Sequence, residues 1–363
     1  MGKRIIIAGG GTGGHIFPAL AIANALRKKE PDMDILFVGA KGKMEMEKVP
    51  EAGYLIKGIN IAGYNRSSLI KNFALPFKLV ESFMQVRKIF KSFKPQAAIG
   101  VGGYSTFPVL RYAQSQGIPT FIHESNSFAG KSNILLGKKA TRIFAASDGM
   151  EKFFPADRLI HTGNPVRKNV IENKISREAG LDFFGLDPGY TTVLITGGSL
   201  GAKSINEAID AGIPALLKNH IQLIWQTGKS FSSQAAVHAV ESKLIWSGQF
   251  ISKMEYAYAA ADIVVSRSGS VLYELCAVKK PVIFIPYPHA AEDHQTMNAK
   301  NLVMKNAAVM IPDKDAHDKL IPEILRLSKN KDEQEILKNN IGKLAIIDAD
   351  ERIATEILKI LND

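Results

Sequence analysis

Near the start of the chain a histidine closes a run of glycines: Ile5-Ile6-Ile7-Ala8 leads into Gly9-Gly10-Gly11-Thr12-Gly13-Gly14-His15. Imidazole titrates close to neutral pH, so His15 beside a bound hydroxyl could take its proton as a general base, or could only hydrogen-bond a substrate. Gly9, Gly11 and Gly14 fit G-x-G-x-x-G behind an apolar run. Such a turn offers backbone N–H groups and a helix dipole to a phosphate. The same plan returns in Val193-Leu194-Ile195-Thr196-Gly197-Gly198-Ser199-Leu200-Gly201-Ala202, where Ser199 adds a hydroxyl donor. Lys203 and Arg167 are candidates to balance negative charge there. Either loop can also be read as a tight turn that lets helix and strand pack closely.

A dinucleotide site would need an acidic residue at the end of the second strand, to hold a ribose. That strand ends Phe37-Val38-Gly39-Ala40-Lys41, with no carboxylate. Lys41 or Lys43 could pair with a 2′-phosphate, so an NADP-dependent oxidoreductase stands as an alternative. Glu124, in His123-Glu124-Ser125-Asn126, is a second candidate base or a structural carboxylate at a strand end. Two Asp-x-Asp pairs could suggest a metal. Asp32-Met33-Asp34 opens a strand, on the wrong edge of the sheet, and Asp348-Ala349-Asp350 precedes the last helix as an N-cap. Neither an obligatory metal nor another cofactor is expected.

The elements that carry these residues follow from periodicity. Strands are expected at 4–8, 35–38, 97–101, 120–123 and 142–145, then at 192–196, 222–225, 243–246, 263–265 and 282–285. Helix-period segments lie between most of them, and such alternation predicts an α/β fold with parallel sheets covered on both faces. With 363 residues, 46% hydrophobic and 22% charged, the chain suits two globular domains. The boundary is expected after Gly163-Asn164-Pro165-Val166-Arg167, where residues 168–187 are polar. This gives domains 1–167 and 168–349, with a final helix at about 350–361 that could return to the first.

Composition narrows the partners. No run of 18 or more apolar residues occurs, so no spanning helix is expected, and Ile5-Ile6-Ile7 is too short for a secretory signal. The single cysteine, Cys276, excludes an internal disulfide and suits a reducing cytoplasm. A net charge of +11 calls for an anionic partner: nucleic acid, anionic lipid or a phosphorylated substrate. Residues 66–94 hold seven basic residues (Arg66, Lys71, Lys78, Arg87, Lys88, Lys91, Lys94) and one acid, Glu81. Leu79, Phe83, Val86 and Phe90 follow helical spacing toward a core. Residues 69–77, including Leu69, Ile70, Phe73, Leu75 and Phe77 beside Lys71 and Lys78, suit an anionic membrane surface, and Lys138-Lys139 adds to it. No nucleic-acid module is present, so no nucleic-acid partner is expected.

Gly10-Gly11-Thr12-Gly13-Gly14-His15 resembles the signature of the MurG family, bacterial N-acetylglucosaminyltransferases that use UDP-GlcNAc and lipid I. The likeness continues in order through Gly100-Val101-Gly102-Gly103-Tyr104, His123-Glu124-Ser125-Asn126, Gly163-Asn164-Pro165-Val166-Arg167 and Gly197-Gly198-Ser199-Leu200-Gly201-Ala202. It ends with Ser266-Arg267-Ser268-Gly269-Ser270 and Asp293-His294-Gln295 ahead of Asn298-Ala299. Seven motifs in order make a specific match.

The resemblance implies a GT-B architecture of two Rossmann-like, doubly wound domains facing across a cleft, with the last helix back on the first. It implies an acceptor- and membrane-facing first domain and a second that binds UDP-GlcNAc. The acceptor would be undecaprenyl-pyrophosphoryl-MurNAc-pentapeptide, at the cytoplasmic face of the bacterial inner membrane, where the protein would be peripheral. By the same likeness Thr12, Gly13 and Gly14 border the sugar and diphosphate, Asn126 and Arg167 reach toward the donor, and Ser199 meets the diphosphate. Ile251 would lie against uracil, Glu274 on the ribose, and Gln295 with His294 on the GlcNAc hydroxyls. Two departures stand out. The stretch from Arg267 to Glu274 is one residue shorter than the family pattern, and His294 replaces a second glutamine. Another GT-B UDP-sugar enzyme, such as an epimerase, is the nearer alternative.

Overall fold

The computed structural model describes residues 2–62, 75–172, 174–198, 200–290 and 293–362. The chain divides into two compact units, Met1–Arg167 with Ile347–Asp363, and Lys168–Ile346.

The first unit is built on β1 (Arg4–Ala8), β2 (Asp34–Ala40), β3 (Leu55–Ile59), β4 (Ala97–Gly100), β5 (Thr120–Glu124), β6 (Arg142–Ala145) and β7 (Leu159–His161). They form one sheet in the order β3-β2-β1-β4-β5-β6-β7, parallel throughout. Its helices are α1 (Gly13–Lys29), α2 (Glu45–Glu51), α3 (Leu75–Phe93), α4 (Thr106–Ser115) and α5 (Lys131–Gly137). Ile5, Ile6 and Ile7 are fully buried because both faces of a parallel sheet are covered. Ile6 and Ala8 share a core cluster with Val86, Phe90, Val109, Leu110 and Leu136 of α3–α5. Ile5 and Ile7 share a second with Ile16, Ile22 and Leu26.

The second unit repeats the plan with β8 (Thr191–Thr196), β9 (Ile221–Gln226), β10 (Ile245–Gly248), β11 (Ile263–Ser266), β12 (Val282–Phe284) and β13 (Val309–Met310). Their order is β10-β9-β8-β11-β12-β13, again parallel. Around them lie α6 (Lys168–Ile171), α7 (Arg177–Phe184), α8 (Lys203–Lys218), α9 (Ser232–Glu241) and α10 (Met254–Ala260). Then come α11 (Val271–Val278), α12 (His294–Val303), α13 (Ala316–Lys329) and α14 (Lys331–Gly342). Cys276 is buried on α11, and burial pushes its thiol up to about 12, so it is an inert core residue.

The last helix, α15 (Ala349–Asn362), packs on α1. It buries Ile353, Ala354, Ile357 and Leu358 in the core that holds Ile5 and Ile7. Three such large side chains contribute roughly 1.5–3 kcal/mol each, so the first unit depends on the end of the chain for its core.

All ten expected strands are present, with ends moved by a residue or two. β3, β7 and β13 are additional, and each is the edge of its sheet. An edge strand needs no continuous apolar run: β3 alternates exposed and covered positions around Lys57.

Candidate functional site

In each sheet the strand order reverses once, between β1 and β4 and between β8 and β11. Loops leaving such a pair turn to opposite faces and open a crevice at the carboxyl edge. Both glycine loops leave from those points. Asp32 and Asp34 lie at the opposite end, before β2 and at its start.

The first loop is clamped against the loop after β4. Gly10 N–H donates to Gly102 O at 3.2 Å. A Cβ on Gly103 would sit 2.4 Å from Gly10 O, and one on Gly102 would sit 2.5 Å from His15 Cδ2. Both glycines hold φ near +100° (102° and 90°), so no other residue fits there without strain. His15, on the first turn of α1, places Nδ1 3.0 Å from Gly10 O. A carbonyl only accepts, so neutral His15 carries its proton on Nδ1, and Nε2 is the basic nitrogen.

Sequence reasoning missed Glu45. It is 1% exposed. Its Oε2 accepts from Gly11 N–H at 2.7 Å and its Oε1 from Ala40 N–H at 2.9 Å. A carboxylate of the chain itself therefore occupies an N–H that a dinucleotide pyrophosphate would use. The acid sought at the end of β2 exists, but it serves the protein. Only the Glu45 position, just beyond the β2 turn, hinted at it.

His123, Glu124 and Asn126 follow at the end of β5. His123 is fully buried, and neither ring nitrogen meets a hydrogen-bond partner among the described residues. Burial pushes it down to about 4; the Gly163 backbone, near but not in good hydrogen-bond geometry, pulls the other way, and His15 adds to the lowering. Glu124, 3% exposed, accepts from Asn126 N–H and Nδ2 at 3.0 and 3.2 Å with one oxygen. The other accepts from Gly130 N–H and Asn133 Nδ2 at 3.0 and 2.8 Å. Four donors on one carboxylate make Glu124 a brace for the loop after β5, and the same contacts fix Asn126. Arg167 lies 4.9 Å from the ring centroid of Phe17 on α1, one turn from Thr12, Gly13 and Gly14. Thr12 is exposed at the helix cap.

The second loop is equally tight. Cβ atoms on Gly197 and Gly201 would lie 2.3 Å from Ala202 N and 2.1 Å from Thr227 O. Ser199 lies outside the described residues. The helix that follows, α8, has no acid in its first turn and no side-chain cap. Among the described residues no carboxylate bonds to this loop's N–H groups. Gln226, also missed from sequence, ties the loop to the expected uracil contact: its Nε2 donates to Gly198 O at 3.0 Å and its Oε1 accepts from Ile251 N–H at 2.9 Å. Ile251 is buried. Glu274, on α11, accepts from Tyr258 Oη at 3.0 Å.

His294 and Gln295 open α12. Gln295 Oε1 accepts from Tyr287 N–H at 3.0 Å, and its carbonyl accepts from Ser268 Oγ at 2.8 Å. Arg267 bonds to the Ile285 and Pro286 carbonyls (3.0 and 3.1 Å), to Ser204 Oγ on α8 (3.1 Å) and to Asp313. Arg267 therefore ties the end of β11 to the chain after β12 and to α8.

Residues 5–145 match the glycosyltransferase family 28 N-terminal domain, and residues 192–353 its C-terminal domain. The chain is 49% identical over 362 residues to the UDP-N-acetylglucosamine–N-acetylmuramyl-(pentapeptide) pyrophosphoryl-undecaprenol N-acetylglucosamine transferase of Parabacteroides distasonis, covering 99% of this chain and 98% of that one. It is 50% identical over 361 residues to the transferase of that name from Phocaeicola vulgatus, covering 98% and 96%. The crystal structure of Acinetobacter baumannii MurG aligns with a TM-score of 0.76 at 27% identity, covering 98% of this chain and 99% of that one.

Proposed function

The chain belongs to glycosyltransferase family 28, and from that premise we propose that it transfers N-acetylglucosamine from UDP-GlcNAc to the C4 hydroxyl of MurNAc in lipid I, giving lipid II for peptidoglycan. Identity of 49–50% across nearly the whole length of two such transferases carries this reading. Direct attack by the hydroxyl inverts the anomeric centre, turning an α donor into a β linkage. Two things must be supplied: a base for the hydroxyl, and stabilisation for the departing diphosphate.

His15 is the base in this reading, supported by the Nδ1 contact that leaves basicity on Nε2. Glu124 is a positioning carboxylate, because four donors already surround it. The second loop and Arg167 take the charge of the leaving UDP. Ile251 lies on uracil, Glu274 on ribose, and Gln295 with His294 on the sugar hydroxyls. Thr12, Gly13, Gly14 and Asn126 border the reacting sugar. In this reading the first unit serves the acceptor and the second the donor.

The protein acts at an anionic membrane surface, peripherally. Among the described residues no helix is long and apolar enough to cross a membrane. Helix α3 instead carries an exposed apolar stripe, Phe77 (79%), Val80 (60%) and Met84 (56%), with Val86 and Phe90 turned into the core. Lys78, Arg87, Lys88 and Lys91 are exposed on the same helix, and α5 adds exposed Leu135 with Lys131, Lys138 and Lys139 beside it. The helix itself, rather than only its approach, thus offers a lipid-facing surface. Arg66, Leu69, Ile70, Lys71 and Phe73, expected in that patch, lie outside the described residues.

The test is incubation of the purified protein with labelled UDP-GlcNAc and a short-chain lipid I analogue. Label in the lipid product is expected. NADP binding without UDP binding, and no labelled lipid, would overturn the reading.

A further inference from the structure

We propose that Glu45 is a positioning residue for the transfer, acting on His15 through the single peptide group between Gly10 and Gly11. The inference rests on His15 as the base. That peptide is engaged at both ends: its carbonyl accepts from His15 Nδ1 at 3.0 Å and its N–H donates to Glu45 Oε2 at 2.7 Å. The second Glu45 oxygen is anchored on Ala40 N–H at 2.9 Å, and the whole residue is buried. A Cβ on Gly10 would lie 2.2 Å from the Glu45 carboxyl carbon, so the loop and the carboxylate are fitted to each other.

Hydrogen bonds in a chain polarise one another, and a desolvated carboxylate on the N–H makes the carbonyl of the same peptide a stronger acceptor. When the acceptor hydroxyl gives its proton to Nε2, the imidazolium keeps its Nδ1 proton on that strengthened carbonyl. No proton leaves Glu45 or crosses the peptide. The arrangement is a carboxylate–imidazole pair with one peptide group inserted. Sequence could not show it, since Gly11 and Glu45 are separated by 34 residues.

The other ionisable groups around the ring work differently. His123, on β5, is buried, neutral and lacks a hydrogen-bond partner among the described residues. Arg167 stacks on Phe17, two residues along α1. Positive charge on either opposes protonation of His15. Glu124 is taken up by Asn126, Gly130 and Asn133. The loop after β4 meets the ring with Gly102, and Tyr104 follows in the chain.

Glu45→Gln keeps the shape and removes the charge. We expect kcat to fall roughly tenfold with the donor KM unchanged, and the acid limb of kcat to move to lower pH by about half a pH unit. The ¹⁵N-imidazole titration of His15, identified by comparison with His15→Gln, should move the same way. Glu45→Asp keeps the charge on a shorter arm; its His15 titration should move in that direction by less, and it serves if Glu45→Gln does not fold. A variant that loses activity while His15 titrates as in the wild type overturns the proposal and leaves Glu45 a loop brace. Unchanged turnover in His15→Ala would instead remove the base reading, and the titration, which needs no turnover, would still decide the role of Glu45.

Discussion

The two glycine loops share a plan and differ in what meets their N–H groups. In the first, Glu45 takes Gly11 N–H, Gly102 takes Gly10 N–H, and the Gly10 carbonyl holds His15. Two N–H groups of this loop are thus taken by its own chain, and its carbonyl holds an imidazole. Both following helices begin without an acid in the first turn, but in the second loop no carboxylate bonds to the N–H groups among the described residues, and Gln226 links the loop to Ile251. A helix start left electropositive is suited to a ligand's diphosphate. The difference teaches that a G-x-G-x-x-G pattern specifies a backbone turn, while nearby side chains decide whether the turn binds an anion.

The comparison can be broken most sharply at His15. His15→Ala should lower kcat by roughly 10² to 10⁴-fold with little change in donor affinity, read by steady-state kinetics and UDP binding. A loss confined to donor affinity would make the first loop a phosphate cradle after all.

Acid should separate the loops next. His123 behind the first loop titrates at about 4 against a usual 6.5. Its folded pKa is lowered, so its stability contribution is complete above pH 6.5 and is lost as pH falls toward 4. The loss should reach about 2 kcal/mol by pH 5. Hydrogen exchange across β5 should report it before exchange across β8 does; equal acid sensitivity in the two strands would contradict it.

Gln295→Ala should reduce discrimination between UDP-GlcNAc and UDP-GalNAc by roughly tenfold, measured as the ratio of kcat/KM values. An unaltered ratio would show that Gln295 does not read the sugar.

The smallest effect tests the charge of the second loop. Lys203, with its side chain 86% exposed, pairs with Glu207 at 3.6 Å. Lys203→Glu should raise the donor KM by roughly threefold to tenfold, less at high salt. A donor KM that does not respond would mean that this helix start does not hold the diphosphate.

Much of this was legible in advance. The buried strands announced themselves as short apolar runs, and both glycine loops lie where such runs end. The edge strands β3, β7 and β13 were not legible, because partial exposure leaves no such run. His15 was visible through its type and position. Glu45 and Gln226 were not, since a glutamate on a short helix and a glutamine ending a strand look like ordinary residues.

By itself the sequence determined the strand–helix alternation, the two turns and the family, because these depend on local residue type and on ordered motifs. Tertiary structure decided which backbone groups remain for a ligand. β2 lies beside β1 in parallel register, Ala8 opposite Val38, so the residues after one strand fall next to the loop after the other. That adjacency brings Glu45 onto Gly11. The reason is physical: hydrogen bonds between distant segments depend on register and side-chain direction, which linear spacing does not carry.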